Sequence, residues 1–270
     1  TIHFIGIGGI GLSAIAKLCL HNGYNVQGSD IKNSDTLKSL VKMGIKVFVG
    51  HNSNNINTKI EKVIYSSAVN SENPEFIKAK NLNIPIYSRA QMLAEVMQKK
   101  KSICISGTHG KTSCTSITSW VLSHDTKKPT TLIGGIDYSF NSNLQIGDSD
   151  WMVVEADESD GSFNKLPVTV AIVTNIDKEH LDYYSSFLKL KRAFQKFISS
   201  VPFYGVAICC VDDKNVAAVI SNVKDRKIIT YGFSEKADIT IRNLRVDEQG
   251  TRFDLDDKIA NIYLRDFHIY

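Results

Sequence analysis

The chain has 270 residues, a net charge of +4, and a composition typical of a globular protein, with 43% hydrophobic and 22% charged residues. No apolar run approaches the ~20 residues of a membrane span, and the modest charge forms no basic stripe, so we expect neither a membrane nor a nucleic acid as partner. The five cysteines include no CxxC pair, and three of them lie in apolar runs. Reduced, buried thiols are expected, as in a cytoplasmic protein.

The N-terminal residues predict a strand, a glycine loop and a helix. Ile2–Ile7 reads as a strand, and apolar residues at helical spacing follow from Leu12 to His21. Between them, Gly6–Gly11 matches GxGxxG, a pattern that lets a diphosphate approach a helix N-terminus. The ligand is either NAD or another nucleotide diphosphate, and the pattern does not separate the two. The binding residues predicted here are Gly8, Gly9, Ile10 and Gly11.

Strands and helices alternate from there to about residue 98, which predicts a parallel sheet with right-handed crossovers. Ligands of such sheets collect at the carboxyl ends of the strands. Asp30, His51, Ser66 and Ser67 fall at such ends, and Asp30 stands where dinucleotide-binding folds place a ribose-binding acid. We predict that all four bind the ligand. The alternatives are a surface loop histidine at position 51 and simple loop capping by the serines.

A second strand–loop–helix pattern follows a basic linker at Lys99–Lys101. The loop Gly107–Thr112 ends in Gly-Lys-Thr, although Ile105 replaces the first glycine of the full P-loop pattern. Lys111 would reach the outer phosphates of a nucleotide, and the Thr112 hydroxyl would bind Mg²⁺. The alternative is an ordinary turn. The predicted nucleotide-binding residues are Gly107, Thr108, His109, Gly110, Lys111, Thr112 and Ser113.

Acidic and polar residues follow two further predicted strands. The strand Trp151–Glu155 leads into four carboxylates within six residues, which predicts a magnesium and phosphate site with Glu155 best placed as ligand. A solvated acidic loop is the alternative. The strand Val168–Val173 leads into a second polar cluster containing His180, either a metal ligand or a loop histidine. From Ala237 onward, strands without helices predict a small antiparallel sheet.

Taken together, these motifs resemble the Mur ligase family, whose members build the peptide of bacterial cell-wall precursors. The matching segments occur in the family's order and span nearly the whole chain. They are Gly6–Ser13, Tyr65–Ala68, Ser88–Glu95, Gly107–Thr112, Glu155–Phe163 and Thr174–Asp182.

The resemblance implies an α/β fold with a Rossmann-like UDP-sugar-binding domain over residues 1–98. A P-loop ATPase-type domain with a small antiparallel sheet would occupy residues 99–270. It also implies ATP and Mg²⁺ as cofactors, and a reaction in peptidoglycan precursor synthesis that joins L-alanine to the lactoyl carboxylate of UDP-N-acetylmuramate through an acyl phosphate. The alternatives are a related tripeptide-recycling muramate ligase, an NAD-binding dehydrogenase or sensor, and a non-catalytic nucleotide-binding module.

The family's site residues map onto matching positions. The resemblance assigns catalysis to Lys111, Glu155 and His180, and metal binding to Thr112, Glu155 and His180. It implies that Glu155 and His180 approach one another. Further substrate-binding residues would be Ser159, Asp160, Gly161 and Asn175.

The chain departs from the family in two places. Several members carry a carbamoylated lysine near the position of Gln195, so we carry no such lysine over. The stretch Ser123–Pro129 is short for the family. The family also has a third, C-terminal domain, which would lie beyond Tyr270, and we therefore expect nucleotide binding without turnover from these residues alone. The expected oligomeric state is a monomer or a weak dimer.

Overall fold

The computed structural model describes residues 1–124, 128–137, 141–247, 250–255 and 258–262. The chain divides into two compact units. Unit 1 contains residues 1–100 and 122–152, and unit 2 contains residues 101–121 and 153–270. Parts of the segment 123–129 and of the last predicted strand, and the turn before Gly250, lie outside the described residues.

The first hundred residues of unit 1 alternate strands and helices as the pattern predicts. In chain order they form β1 (Ile2–Ile5), α1 (Ile10–His21), β2 (Val26–Asp30), α2 (Asp35–Lys42), β3 (Lys46–Val49), β4 (Lys62–Tyr65), α3 (Pro74–Asn81), β5 (Ile86–Ser88) and α4 (Arg89–Met97). A short 3-10 helix, Ser53–Asn55, follows β3. The strand order is β3-β2-β1-β4-β5 with every pair parallel, which confirms the predicted parallel sheet.

The next elements are β6 (Lys101–Ser106), α5 (Lys111–His124), β7 (Thr130–Asp137) and β8 (Ser142–Gln145). The antiparallel pair of β7 and β8 belongs to unit 1 and packs on α1. Asn143, which is buried, donates from Nδ2 to the carbonyl of Ile10 and lies 3.3 Å from Ser13 Oγ. The start of α1 is therefore tied to a hairpin more than a hundred residues away in the sequence.

The rest of the chain forms most of unit 2. Its elements are β9 (Trp151–Glu155), β10 (Val170–Val173), α6 (Leu181–Tyr184), α7 (Phe187–Ser199), β11 (Val206–Cys210), α8 (Lys214–Ile220), β12 (Ile228–Gly232), β13 (Ile239–Asp247), β14 (Gly250–Leu255) and β15 (Lys258–Ile262). The strands run in the order β15-β14-β13-β12-β11-β10-β6-β9. The strands from β6 through β10, β11 and β12 to β13 pair in parallel, and β13, β14 and β15 pair antiparallel, as predicted.

Buried apolar side chains fix these elements in place. Ile2, Phe4 and Ile5 of β1 are fully buried at the centre of the unit 1 sheet. In unit 2, the Phe163 ring stacks on that of Phe197, with ring centroids 5.0 Å apart. It also packs edge-on against the ring of Phe194, and both partners belong to α7. Such contacts anchor the end of the acidic segment that follows β9, because large buried aromatics contribute most to core energetics.

Candidate active site

The phosphate loop connects β6 to α5 and depends on glycine at two positions. Gly107 has φ +145°, and a Cβ there would lie 2.1 Å from Thr174 Oγ1. Gly110 has φ +78°, in the left-handed region, with open space around it. The helix begins at Lys111, two residues before the predicted start, so the loop leads directly into a helix N-terminus that favours anions.

Residues after β10 hold this loop from the neighbouring strand. The Asn175 side chain accepts a hydrogen bond from His109 N at 2.8 Å and donates one to His109 O at 3.0 Å. The Asn175 carbonyl accepts from Thr108 N at 3.1 Å, and Asp177 N donates to Thr108 Oγ1 at 2.8 Å. The polar cluster predicted at this strand end therefore shapes the phosphate loop itself. Substrate binding by Asn175 stays a prediction.

Lys111 is paired with an acid that sequence reasoning did not select. Its ammonium lies 2.8 Å from the carbonyl of Gly107 and 3.1 and 3.0 Å from the two carboxylate oxygens of Glu158. The Glu158 side chain is completely buried. Burial raises the pKa of Glu158, and the nearby Lys111 charge opposes that rise. The Lys111 ammonium therefore lies at the phosphate loop, and the buried Glu158 carboxylate balances its charge.

Glu158 also contacts His180. The Nε2 atom of His180 lies 3.6 Å from Glu158 Oε1, and His180 has φ +55° just before α6. The hydroxyl of Tyr184 donates to the backbone carbonyl of Glu158, which fixes the acid from below. The ring of His180 and the ammonium of Lys111 thus share one carboxylate.

Thr112 and Glu155 form the second pair of the site. Thr112 Oγ1 donates to Glu155 Oε2 at 3.0 Å. A hydroxyl beside a carboxylate suits Mg²⁺, which prefers oxygen ligands and takes the remaining ones from water and substrate phosphates. No set of three or more His, Cys, Asp or Glu side chains in the described part of the chain could hold a metal by itself. His180 Nε2 lies 3.6 Å from Glu158 Oε1 and 3.9 Å from Glu179 Oε2, and the predicted approach of Glu155 to His180 stays a prediction.

The rest of the acidic segment is held by local hydrogen bonds. Ser159 N donates to Asp157 Oδ1 at 3.0 Å, and Ser162 N donates to Asp160 Oδ1 at 2.9 Å. Gly161 has φ +67°, and a Cβ there would lie 2.8 Å from the Tyr183 hydroxyl. These turns hold the segment in one shape between β9 and Phe163. Roles of Ser159, Asp160 and Gly161 in substrate binding stay predictions.

Unit 1 has its own glycine loop, between β1 and α1. Gly8 N donates to Asp30 Oδ2 at 2.8 Å, so the predicted ribose-binding acid lies directly against the predicted diphosphate loop. Gly9 caps α1, and Ile10 is half exposed at its start. A Cβ on Gly11 would lie 2.6 Å from the Arg89 guanidinium, so the glycine lets this side chain lie against the start of α1.

Sequence profiles identify the family. The profile for the Mur ligase family, catalytic domain, matches residues 1–101, and the profile for the Mur ligase middle domain matches residues 105–266. The chain belongs to the Mur ligase family. The predicted fold class, a Rossmann-like parallel sheet followed by a P-loop α/β unit with a small antiparallel sheet, is confirmed.

Named Mur ligases resemble this chain over nearly its full length. A UDP-N-acetylmuramate–L-alanine ligase from Parvibaculum lavamentivorans is 48% identical over 94% of this chain and 52% of its own length. A ligase of the same name from Novosphingobium aromaticivorans is 49% identical over 94% and 53%. The crystal structure of UDP-N-acetylmuramate–alanine ligase MurC from Thermotoga maritima has a TM-score of 0.81 at 30% identity, covering 94% of this chain and 57% of that one. The chain spans about half the length of the curated relatives it matches.

Another Mur ligase structure shows the same fold at lower identity. The UDP-N-acetylmuramate:L-alanyl-γ-D-glutamyl-meso-diaminopimelate ligase from Neisseria meningitidis has a TM-score of 0.88 at 23% identity, covering 99% of this chain and 88% of that one. Among the described residues of this Mur ligase, no helix is both long and apolar enough to cross a membrane.

Two residues of this Mur ligase were missed by sequence reasoning. Glu158 follows Ala156 by two positions, and both are buried while the residue between them is not. Buried and partly buried residues alternate from Val154 to Glu158, so extending the two-residue period of a strand past Glu155 would have marked Glu158 as an inward-facing acid. Arg89 begins α4 within the matched segment Ser88–Glu95, and its motif carried the signal, but only the fold brings it against Gly11.

The predicted serines sit at the carboxyl end of β4. Ser66 N bonds to the carbonyl of Ile5, and Ser66 Cβ lies 3.1 Å from the position of a Cβ on Gly6. Ser66 Oγ accepts from Ala68 N at 3.4 Å, and Ser67 is exposed. Both loop capping and ligand binding by these serines are compatible with this placement.

Proposed function

We propose that this chain is the UDP-sugar- and ATP-binding part of a UDP-N-acetylmuramate–L-alanine ligase. The observation that carries the proposal is the pairing of Lys111 with buried Glu158 at a phosphate loop, next to the Thr112–Glu155 pair, in a chain whose curated relatives bear that name. A hydride-transferring dehydrogenase needs neither pair. The tripeptide-adding relative is similar at 23% identity, which supports the shared fold and not the substrate.

Unit 2 supplies the groups that phosphoryl transfer needs. Phosphoryl transfer depends mainly on positioning and charge neutralisation. The loop amides and the α5 N-terminus would bind the ATP phosphates, and Lys111 would turn from Glu158 toward the outer phosphates. The Thr112 hydroxyl and the Glu155 carboxylate would hold Mg²⁺, which supplies additional positive charge at the phosphate oxygens.

The proposed reaction consists of two successive displacements. The lactoyl carboxylate oxygen attacks the γ-phosphorus, and ADP leaves with the electron pair of the broken P–O bond. The amine of L-alanine then attacks the acyl carbon, inorganic phosphate leaves, and the amine loses a proton. His180 and Glu158 lie at the loop and could accept or relay that proton, since they form one contact pair.

Unit 1 would bind the nucleotide part of the sugar substrate. Its glycine loop, Asp30 and the Arg89 guanidinium are grouped at the start of α1. Arginine binds phosphate bidentately, and an acid on the adjacent strand end is placed for ribose hydroxyls. These are the two parts of a nucleoside diphosphate.

A ligand panel tests the proposal. We expect Mg-ATP and UDP-N-acetylmuramate each to raise the melting temperature, because a ligand that binds only the folded state stabilises it by mass action. NAD should have no effect. Stabilisation by NAD without any by the UDP-sugar would favour the dehydrogenase alternative.

Turnover is tested separately. Residues 1–270 are expected to bind both nucleotides without alanine-dependent phosphate release, and a chain of the relatives' full length is expected to release phosphate. The reason is that closing a water-poor cleft and holding alanine are proposed for the third domain. Equal rates from both chains under identical substrates would refute that assignment.

A further inference from the structure

Unit 1 contains a buried acid that the proposed reaction does not use. Glu75, in the first turn of α3, is completely buried. Its Oε1 accepts from Asn55 Nδ2 at 2.5 Å and from Asn52 N at 3.3 Å. Its Oε2 accepts from Ser29 Oγ and lies 3.3 Å from His3 Nε2 and 3.4 Å from His51 Nδ1. We call these six residues the Glu75 network.

At His3, the neighbouring hydrogen bonds determine which ring nitrogen carries the hydrogen. The Gln27 amide nitrogen donates to the carbonyl of Asn55 at 3.0 Å and lies 2.9 Å from His3 Nδ1. Because an amide nitrogen has no acceptor capacity, His3 Nδ1 must accept, and its hydrogen is on Nε2. His3 is therefore a neutral donor to Glu75.

The other end determines a second histidine. A serine hydroxyl has one hydrogen, and Ser29 donates it to Glu75 Oε2. Ser29 Oγ lies 2.9 Å from His51 Nδ1, so Oγ can only accept there. Glu75 Oε2, 3.4 Å from the same nitrogen, is also an acceptor. Both neighbours of Nδ1 thus demand a hydrogen on it.

His51 Nε2 is then the nitrogen left for a ligand. In the described part of the chain no protein group bonds to it, and the side chain keeps 13% of its surface exposed. His51 follows Gly50, whose N–H bonds to the carbonyl of Asp30 at 2.7 Å. His51 therefore lies at the strand edge where Asp30 contacts Gly8. A neutral ring with hydrogen on Nδ1 offers an acceptor there and no donor.

We propose that Glu75 is a positioning residue that, directly and through Ser29, holds the hydrogen of neutral His51 on Nδ1 and so presents Nε2 as a hydrogen-bond acceptor for an N–H or O–H group of the bound nucleoside. The ligand part of this inference rests on the proposed function. The tautomer part rests only on the contacts in unit 1. Neutral histidine free in water favours hydrogen on Nε2, so the Glu75 network reverses the intrinsic preference.

The first experiment reads the tautomer without any ligand. The protein is labelled with ¹⁵N-histidine, and two-bond ¹H–¹⁵N correlation spectra are recorded under conditions in which the spectra show a neutral His51 ring. In the wild type we expect a protonated Nδ1 and an unprotonated Nε2. A wild-type His51 with its hydrogen on Nε2 overturns the proposal whatever any variant does.

The second experiment removes the carboxylate. In Glu75→Met, Ser29 loses its acceptor and can donate to His51 Nδ1, so the Nε2–H tautomer should become the major form. Glu72→Met is the matched control, because Glu72 precedes α3 and is exposed, and its spectrum should equal that of the wild type. Unchanged His51 shifts in folded Glu75→Met would show that Glu75 does not set the tautomer. If Glu75→Met does not fold, the wild-type spectrum decides.

Calorimetry with UDP tests the acceptor. A lost hydrogen bond of ordinary strength weakens binding by about three- to tenfold, which is the effect expected for Glu75→Met and not for Glu72→Met. Altered tautomer with unchanged UDP affinity overturns the acceptor role alone. A wild type that binds no UDP refutes the proposed function, and the spectra still judge Glu75.

Discussion

Replacing either Lys111 or Glu158 alone would leave the other as an unpaired charge in the interior of unit 2. The Glu158 side chain is completely buried and the Lys111 side chain retains 14% of its surface. We predict that Lys111→Ala weakens Mg-ATP binding strongly and also lowers the free energy of unfolding by about 3–5 kcal/mol, because removing one member of a buried pair leaves the other uncompensated. Urea unfolding and calorimetry measure the two effects.

The double variant separates these effects. Glu158→Gln in the Lys111→Ala background should restore most of the lost stability and none of the ATP affinity, because the buried charge is gone and the cation is still missing. Stability that stays equally low in the double variant would mean that Lys111 stabilises unit 2 through its carbonyl contacts and not through Glu158.

Glu75 predicts an acid-dependent loss of stability. Burial alone would raise the pKa of Glu75, but hydrogen bonds from His3, Ser29 and Asn55 lower it from 4.5 to about 2. A lowered folded-state pKa contributes stability above the unfolded-state value, which is lost as pH falls from about 4.5 toward 2. The contribution is about 3 kcal/mol at neutral pH.

The measurement compares two proteins across that window. Unfolding free energies of the wild type and of Glu75→Met are determined at pH 7 and near pH 3. The difference between the proteins should shrink by about 2 kcal/mol on acidification, because the other acids are common to both. A difference independent of pH would show that Glu75 titrates normally.

The side chains of the candidate site were predictable where a sequence motif contains them. Lys111, Thr112 and Glu155 were selected because each stands at a fixed offset from a glycine loop or strand end, and Thr112 does contact Glu155. Glu158 was not selected, because four acids in one segment look alike until the fold buries one of them. Glu75 lacked any motif, and its partners come from three separate segments of unit 1, at residue 3, residue 29 and residues 51–55.

At the scale of elements, the phosphate loop gives a matched pair of substitutions. Gly107→Ala should abolish Mg-ATP binding and lower the free energy of unfolding by at least about 2 kcal/mol. The alanine Cβ would collide with Thr174 Oγ1, and the φ of +145° is unfavourable for alanine. Gly110→Ala meets no neighbour and should cost only about 1–2 kcal/mol for its left-handed backbone.

Melting curves and ATP titrations of both variants check this. Equal losses in the two proteins would show that backbone strain alone, and not the contact with the loop after β10, fixes glycine at position 107.

Most helices and strands were predictable from hydrophobic periodicity and from the residues that begin or end them, and the exceptions have physical reasons. The strand–helix alternation of unit 1 and the late antiparallel strands match the prediction, and Pro74 begins α3 as expected after the cap Asn73. β8 (Ser142–Gln145) was not predicted because its sequence has no apolar alternation, although it pairs with β7 in the structure. α6 has only four residues, bounded by left-handed residues at His180 and Ser185 that no propensity predicts.

At the scale of the molecule, each compact unit is built from two stretches of the sequence. Unit 1 includes residues 122–152, which return after the chain has entered unit 2. The predicted division into 1–98 and 99–270 stays a prediction. A domain whose core partner is distant in sequence is not visible from local patterns, because only packing reveals it.

The discontinuity predicts how fragments behave. A fragment of residues 1–100 should melt at a lower temperature than the same fragment joined by a Gly-Ser linker to residues 122–152. The first lacks the hairpin that packs on α1 and the Asn143 bonds to the start of that helix. Circular dichroism measures the melts, and Asn143→Ala in the joined fragment is the control, with an expected loss of about 1–2 kcal/mol. Identical melting of both fragments would contradict the role of the hairpin.

The buried carboxylate beneath the phosphate loop should also disfavour the binding of small anions. Its negative charge already satisfies the lysine ammonium, so any incoming anion must compete with a group that is held within the fold at 3.0 Å. A single phosphate or sulfate ion offers too few additional contacts to win that competition against a preorganised partner. A polyphosphate chain that also engages the loop amides and the helix start offers many. The loop should therefore remain open to nucleotide in the presence of inorganic phosphate.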